Sequence, residues 1–350
     1  MATLKDVARR ACVDVSTVSR ALNNTSYVHP DTKARILAAV EELSYQPNVL
    51  ARGLRQGKRN TIGVVVPKIS FSIFAELTSG IEEEARRRGY YTLLCNTLDD
   101  KRVEKECLNR LRNGFVDGII VAQTGANTRL LRDIQAGGLP VMQLIRKYDA
   151  SLSSAVVDFV DVGYRATRHL LERRCWKIAL INGSMQTPPY QDRYKGYAKA
   201  VREAGLEEIT IDKETDQRGM RYGYDCTNLL LDRYEGLDAI MAATDAQGMG
   251  VLRALKENDV SVPEDICVLS MTGHRVGDML ESSLTSMELP GIEIGAQAAD
   301  QLIDLIERDE KKRTSVKELR FEAKLVERES TGEDTRNIRK ERGNGYKNRN

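Results

Sequence analysis

Ser16, Thr17, Ser19 and Arg20 place three hydroxyls and a guanidinium within five residues. Such a set can hold phosphate oxygens and fork onto the edge of a base. Val7, Ala8, Ala11, Val13, Val18, Ala21 and Leu22 recur around it at helical spacing, which predicts two short helices around a tight turn over residues 3–27, closed on a miniature core. Val15, Ser16, Thr17, Ser19 and Arg20 are then left facing outward, where they can enter a DNA groove. Pro30-Asp31-Thr32 opens a third helix, with Asp31 or Thr32 as its cap and Ile36, Leu37, Val40 and Leu43 as its apolar stripe.

The 350 residues suffice for two or three domains, and 41% hydrophobic residues with few aromatics suit an α/β body. Net charge is only +2, but unevenly spread: residues 1–60 carry ten basic against five acidic side chains, and residues 333–350 six against three. Positive ends on an acidic middle suit phosphate binding at one end. The six cysteines form no Cys-x-x-Cys pair and there are three histidines, so no zinc spacing can be assembled and reduced thiols are expected. There is no P-loop, no Gly-x-Gly-x-x-Gly after a strand and no Gly-x-Ser-x-Gly; no catalytic residue, metal or cofactor is expected. With no apolar run near the roughly 20 residues of a membrane span and no signal-peptide core behind Met1, the expected location is the cytoplasm, on the nucleoid.

Past Thr61 the texture changes. Short β-rich runs at 62–66, 91–95, 117–121, 140–144, 177–181, 239–242 and 266–269 alternate with amphipathic stretches such as 73–88, 162–173, 193–204, 247–258 and 292–308. This alternation predicts parallel sheets with helices on both faces. Ligands of such sheets sit outside the C-terminal strand ends, so residues just after each run are the binding candidates.

Thr-Leu-Lys-Asp-Val-Ala at 3–8, Ser-Thr-Val-Ser-Arg at 16–20, Tyr-Gln-Pro-Asn at 45–48, Leu-Ala-Arg-Gly-Leu-Arg at 50–55, Thr-Ile-Gly-Val-Val-Val-Pro at 61–67 and Leu-Val-Glu-Arg-Glu-Ser at 325–330 resemble, in order, the markers of the LacI/GalR family of bacterial transcription regulators. The resemblance implies a helix-turn-helix headpiece over 1–47, a hinge helix and linker over 48–60, and a periplasmic-binding-protein-like effector-binding and dimerisation domain over 61–332. That domain would hold two Rossmann-like subdomains, about 61–158 with 290–320 and 159–289 with 321–332. Residues 333–350 fall outside the resemblance and read as a disordered basic tail.

The implied function is a sequence-specific DNA-binding regulator, a repressor of carbohydrate-utilisation genes that binds double-stranded palindromic operator DNA as a homodimer. Control would come from a small-molecule effector, a sugar or another metabolite; a protein corepressor is the alternative. Carried over position by position, the DNA contacts are Thr3, Val15, Ser16, Thr17, Ser19, Arg20 and Asn23 from the headpiece and Ala51, Leu54 and Arg55 from the hinge. Val15, Ser16 and Arg20 would read bases while Thr17 and Ser19 hold phosphates. Leu54 would wedge the minor groove at a central step, and the hinge segment, short and interrupted by Gly53, should order only on DNA. The implied effector residues are Phe74, Asp158, Arg193, Thr244, Asp245 and Thr272.

Several positions depart from the family pattern. Cys12 and Asp14 occupy a turn where Gly or Asn, and Ser, are usual, so a strained turn, or one that avoids positive φ, is expected with Asp14 as the N-cap. Thr272 stands where an aspartate usually grips sugar hydroxyls, Phe159 replaces an asparagine, Ile145 an aspartate, and Gln217 an aromatic. These losses weaken the case for an ordinary monosaccharide.

Overall fold

Val7, Ala8, Ala11, Val18, Ala21, Ile36 and Ala39 meet in a small buried core that holds together α1 (Leu4–Ala11), α2 (Val15–Asn23) and α3 (Pro30–Glu42). The structure is a computed structural model and describes residues 2–23, 26–45, 59–211, 219–273, 275–308 and 316–332. The hinge segment through residue 58 and the tail from 333 lie outside the described residues, and so do the expectations placed on them.

Thr3 caps α1 with a capping box, its hydroxyl accepting from the Asp6 N–H while the Asp6 carboxylate accepts from the Thr3 N–H at 2.9 Å. Between α1 and α2 the turn takes the strained option: Cys12 sits at φ 53°, ψ 50°, a left-handed conformation that costs a residue with a Cβ about 1 kcal/mol or more. The Val13 N–H closes it onto the Ala8 carbonyl at 3.0 Å. Asp14 stands at the N-cap of α2 and acts through its carbonyl, which accepts from Thr17 and Val18. Two expectations for α3 need correction. Its N-cap is His29, without a side-chain cap, with Pro30 as first residue; and Leu37 is 49% exposed, because Ala39 rather than Leu37 completes the inward stripe with Ile36, Val40 and Leu43.

Thr61–Asn350 forms a second compact unit built from two six-stranded sheets. The first runs β11-β5-β4-β3-β1-β2, all parallel, from β1 (Thr61–Val66), β2 (Tyr91–Asn96), β3 (Gly118–Val121), β4 (Val141–Leu144), β5 (Ser153–Val157) and β11 (Glu318–Phe321). The second runs β12-β10-β9-β8-β6-β7, from β6 (Ile178–Ile181), β7 (Ile209–Ile211), β8 (Ala239–Ala242), β9 (Cys267–Gly273), β10 (Thr285–Glu288) and β12 (Lys324–Val326); only β12 is antiparallel. Central strands such as β1, β3, β6 and β8 are buried along nearly their whole length, which is why they read as continuous apolar runs. The chain passes between the lobes after β5, after β10 and between β11 and β12.

Helices cover both sheets, among them α5 (Lys101–Arg112) and α6 (Thr128–Ala136) on the first. Three pairs pack unusually close: α4 (Ser72–Arg87) on α11 (Gly291–Glu307), α7 (Phe159–Glu172) on α8 (Pro188–Glu203), and α9 (Met220–Arg233) on α10 (Asp245–Glu257). Each crossing carries one glycine from either helix, Gly80 with Gly295, Gly163 with Gly196, and Gly223 with Gly250. A Cβ at any of the six would lie 2.0–2.1 Å from a carbonyl oxygen of the facing helix. Only a residue without a Cβ permits backbones this near.

Candidate functional site

On α2 the residues expected to face DNA divide. Ser16 and Arg20 are exposed, Thr17 and Ser19 are half-buried, and the Arg20 guanidinium folds over one turn, its Nε donating to the Ser16 carbonyl at 3.3 Å and Nη2 to Ser16 Oγ at 3.4 Å. Val15, expected to project, instead packs partly against the miniature core, because it sits three residues before Val18 on the same helical face. Thr3 is exposed with its hydroxyl committed to the cap of α1, and Asn23 is the last residue of α2. Ala51, Leu54 and Arg55 lie outside the described residues.

In the two-lobed unit residues at the strand ends of the two lobes meet. Ser72, the first residue of α4 in one lobe, donates through Oγ to Asp245 Oδ2 at 2.6 Å, the first residue of α10 in the other. Thr244 caps α10 by accepting from the Gln247 N–H. Gln247 spans the ends of β8 and β6, its Oε1 accepting from Ala243 N and its Nε2 donating to the Asn182 carbonyl.

Arg193 lies on α8, whose start at Pro188 precedes the predicted one by about a turn. Its guanidinium is buried against the ring faces of Phe159, 4.2 Å away, and Tyr190, 5.5 Å away. Nη2 donates to Thr272 Oγ1 at 2.5 Å, and that hydroxyl donates on to the Ala243 carbonyl at 3.1 Å. Burial pulls the Arg193 pKa down to about 10.

A second buried guanidinium, Arg146 after β4, forks onto both Asp99 oxygens at 2.6 and 3.0 Å. Burial opposes its charge, but the Asp99 bonds outweigh this and hold its pKa above the ordinary value. Ile145 before it takes φ 62°, strained for a β-branched residue and of the kind that clusters at ligand sites.

The candidates are thus not one constellation. Arg193 meets Thr272, and Asp245 faces Ser72. Phe74 is a core aromatic, 4% exposed, in the cluster that also holds Val157 and Phe159. The Asp158 carboxylate caps α7, accepting from Val160 and Asp161 N–H at 3.1 and 3.0 Å, and lines a cavity of about 250 Å³ with Ile145, Lys147, Phe159, Pro188 and Asp192. Ser72, Asp99, Asn182 and Tyr190 were missed. Asn182 follows the end of β6 directly and Arg146 lies just past that of β4, a signal present in the sequence; Asp99 belongs to the loop leading to the next helix and Ser72 opens one. Phe159, read as the loss of a polar group, supplies a face for Arg193.

A helix-turn-helix unit followed by a two-lobed body of parallel sheets is the architecture of a transcription regulator, and the family matches give it that class. Residues 3–48 match the bacterial regulatory proteins of the lacI family, and residues 59–329 match the periplasmic binding proteins and sugar binding domain of the LacI family. The chain belongs to the LacI family. It is 33% identical to the HTH-type transcriptional regulator RegA of Clostridium saccharobutylicum, over 95% of this chain and all of that one. It is also 33% identical to the ribose operon repressor of Halalkalibacterium halodurans, over 96% of this chain and all of that one. Among solved structures, the transcriptional regulator CelR in complex with cellobiose matches with a TM-score of 0.69 and 26% identity, over 94% of this chain and all of that chain.

Proposed function

We propose that this chain is a cytoplasmic, homodimeric repressor that reads a palindromic operator through Ser16, Thr17, Ser19 and Arg20 and changes its grip when a small molecule enters the cleft between its lobes. The observation that carries the reading is the Ser16–Arg20 face: a guanidinium and a hydroxyl exposed on one side of α2, on a segment with twice as many basic as acidic side chains. Thr3 and Asn23, with Ala51, Leu54 and Arg55 of the hinge, complete the DNA-contacting set. Val15, half-buried, contributes a shorter contact than a projecting side chain does. The region between the lobes is assigned to the effector, with Arg193, Thr272, Thr244 and Asp245 at it, Phe74 in the core and Asp158 on the cavity at the start of α7. The Ser72–Asp245 bond ties the lobes by one hydrogen bond, which a ligand hydroxyl or amine can replace. A two-fold operator requires two heads. The face offered for pairing is the edge strand β2, where Tyr91 is 71% and Leu93 41% exposed, since an apolar edge calls for a partner.

Regulation by a sugar is supported by the ribose operon named for one relative and the cellobiose held by another. A non-sugar effector is favoured by Thr272, a hydroxyl rather than a carboxylate at the cleft. Operator binding is tested by selecting a palindrome from a random library and titrating it by fluorescence anisotropy. The full chain should bind with a steep inverse salt dependence, and a chain starting at Thr61 should not bind. Arg20→Ala should lose about 1 to 3 kcal/mol on the selected site while narrowing the gap to random DNA. Full affinity without residues 1–60, or an unchanged specificity ratio in Arg20→Ala, would reject the assignment.

A further inference from the structure

We propose that the ligand of this cleft is an anion, an organic acid or phosphate ester whose oxygens seat on the Arg193 guanidinium. The proposal rests on the effector reading of the cleft and names the chemistry that reading leaves open.

Three arginines are buried among the described residues, Arg146, Arg193 and Arg328. Two are answered by acids. Arg146 has the Asp99 fork, and Arg328 pairs with Asp278 and with Glu288, with Ser286 Oγ and the Leu284 carbonyl taking further donors. Among the described residues Arg193 has no carboxylate partner. Its one hydrogen bond goes from Nη2 to the Thr272 hydroxyl, and its Nε, fully buried, has no partner. The adjacent Asp192 carboxylate is taken by Lys195 at 2.6 Å. Phe159 and Tyr190 hold the guanidinium plane and attract its charge, but a ring quadrupole does not neutralise it.

A buried cation without a counter-charge is among the costlier arrangements in a protein interior. It persists where the missing partner arrives with a ligand. A carboxylate or phosphoryl group supplies two oxygens to the free guanidinium donors, where a sugar hydroxyl supplies a dipole and no charge. Thr272 fits this role. Its hydroxyl orients the guanidinium by accepting one N–H and adds no charge to compete with the incoming anion, as an aspartate at that position does.

The test is thermal unfolding of the full chain in sodium acetate, inorganic phosphate or chloride at matched ionic strength, beside Arg193→Gln and Arg193→Met. Because acetate and phosphate also strengthen folding non-specifically, the readout is the difference between wild type and variants. Acetate or phosphate should raise the wild-type Tm over chloride by about 2 °C or more beyond the rise in either variant. A response confined to acetate assigns the ligand a carboxylate, and one confined to phosphate assigns a phosphoryl group. In chloride, Arg193→Met should melt no lower than wild type, because it removes an unanswered charge, whereas Arg146→Met should melt lower, because it strands Asp99. Equal anion responses in wild type and variants, or an Arg193→Met loss as large as that of Arg146→Met, overturns the proposal. If neutral sugars but not their acids release operator DNA, and Arg193→Gln abolishes the release, the effector cleft stands and the anionic ligand falls. If anions protect only the wild type and leave operator binding untouched, the anion site stands and the effector reading falls.

Discussion

Gly163→Ala tests the close helix crossing that positions Arg193. An alanine Cβ there would sit 2.1 Å from the Arg193 carbonyl oxygen, 2.9 Å from its carbon and 3.1 Å from its Cα, so α8 must retreat from α7 by more than about 1 Å to restore van der Waals distance. Overpacking of this kind costs about 1 to 3 kcal/mol, against which alanine recovers up to about 1 kcal/mol of helix propensity. At 2.1 Å the upper end of that cost applies, so the net loss expected is about 2 kcal/mol, a fall of several degrees in Tm for a body this size. Gly80→Ala is the matched control: its Cβ would meet the Ile292 carbonyl oxygen at 2.0 Å, in the lobe that lacks Arg193. Both variants should lose comparable stability in urea unfolding. Only Gly163→Ala should also lose the anion-induced rise in Tm, because only there does the displaced backbone carry the guanidinium off Thr272 and Phe159. A Gly163→Ala protein as stable as wild type would refute the close approach. An intact anion response alongside the stability loss would refute the link from helix crossing to site.

His169 is buried, with Nε2 3.0 Å from Thr331 Oγ1, and burial lowers its pKa below the ordinary value while Glu327 opposes the shift. Neutral in the fold and titrating near 6.5 when unfolded, it leaves stability whole above that pH and removes it as pH falls below, by at most about 1.4 kcal/mol per unit of pKa difference. Urea midpoints measured from pH 7.5 down to 5.5 should therefore decline in wild type and decline less in His169→Gln; parallel curves would show that His169 is not the group responsible. On β2, Tyr91→Lys with Leu93→Lys places two charges on one face of the edge strand. Sedimentation should then show a monomer whose Tm at low concentration matches wild type, and an unchanged dimer would move the pairing surface elsewhere.

Much of this protein was legible in its residue order because the informative spacings are local. Helical recurrence of Val7, Ala8, Ala11, Val18 and Ala21 determines which faces of α1 and α2 turn inward, and the apolar runs of β1, β3, β6 and β8 report strands buried on both sides. Arg193, Thr244, Asp245 and Thr272 were named through the resemblance to the LacI/GalR pattern, which aligns them with its effector residues. Leu37 and Val15 were misjudged because the inward face of a helix is decided by the elements packed on it, and the cap of α3 because Pro30 itself is its first residue, which leaves the cap to His29. The remaining features depend on residues far apart in the chain. Ser72 reaches Asp245 across 173 positions, Asp99 answers Arg146 across 47, and six glycines are required by carbonyls of helices they do not belong to. Arg193 was visible as a charge; that it is a buried charge without a counter-ion was not, because burial and the absence of a carboxylate are properties of the packed lobe, set only when α7 lays Phe159 across the guanidinium.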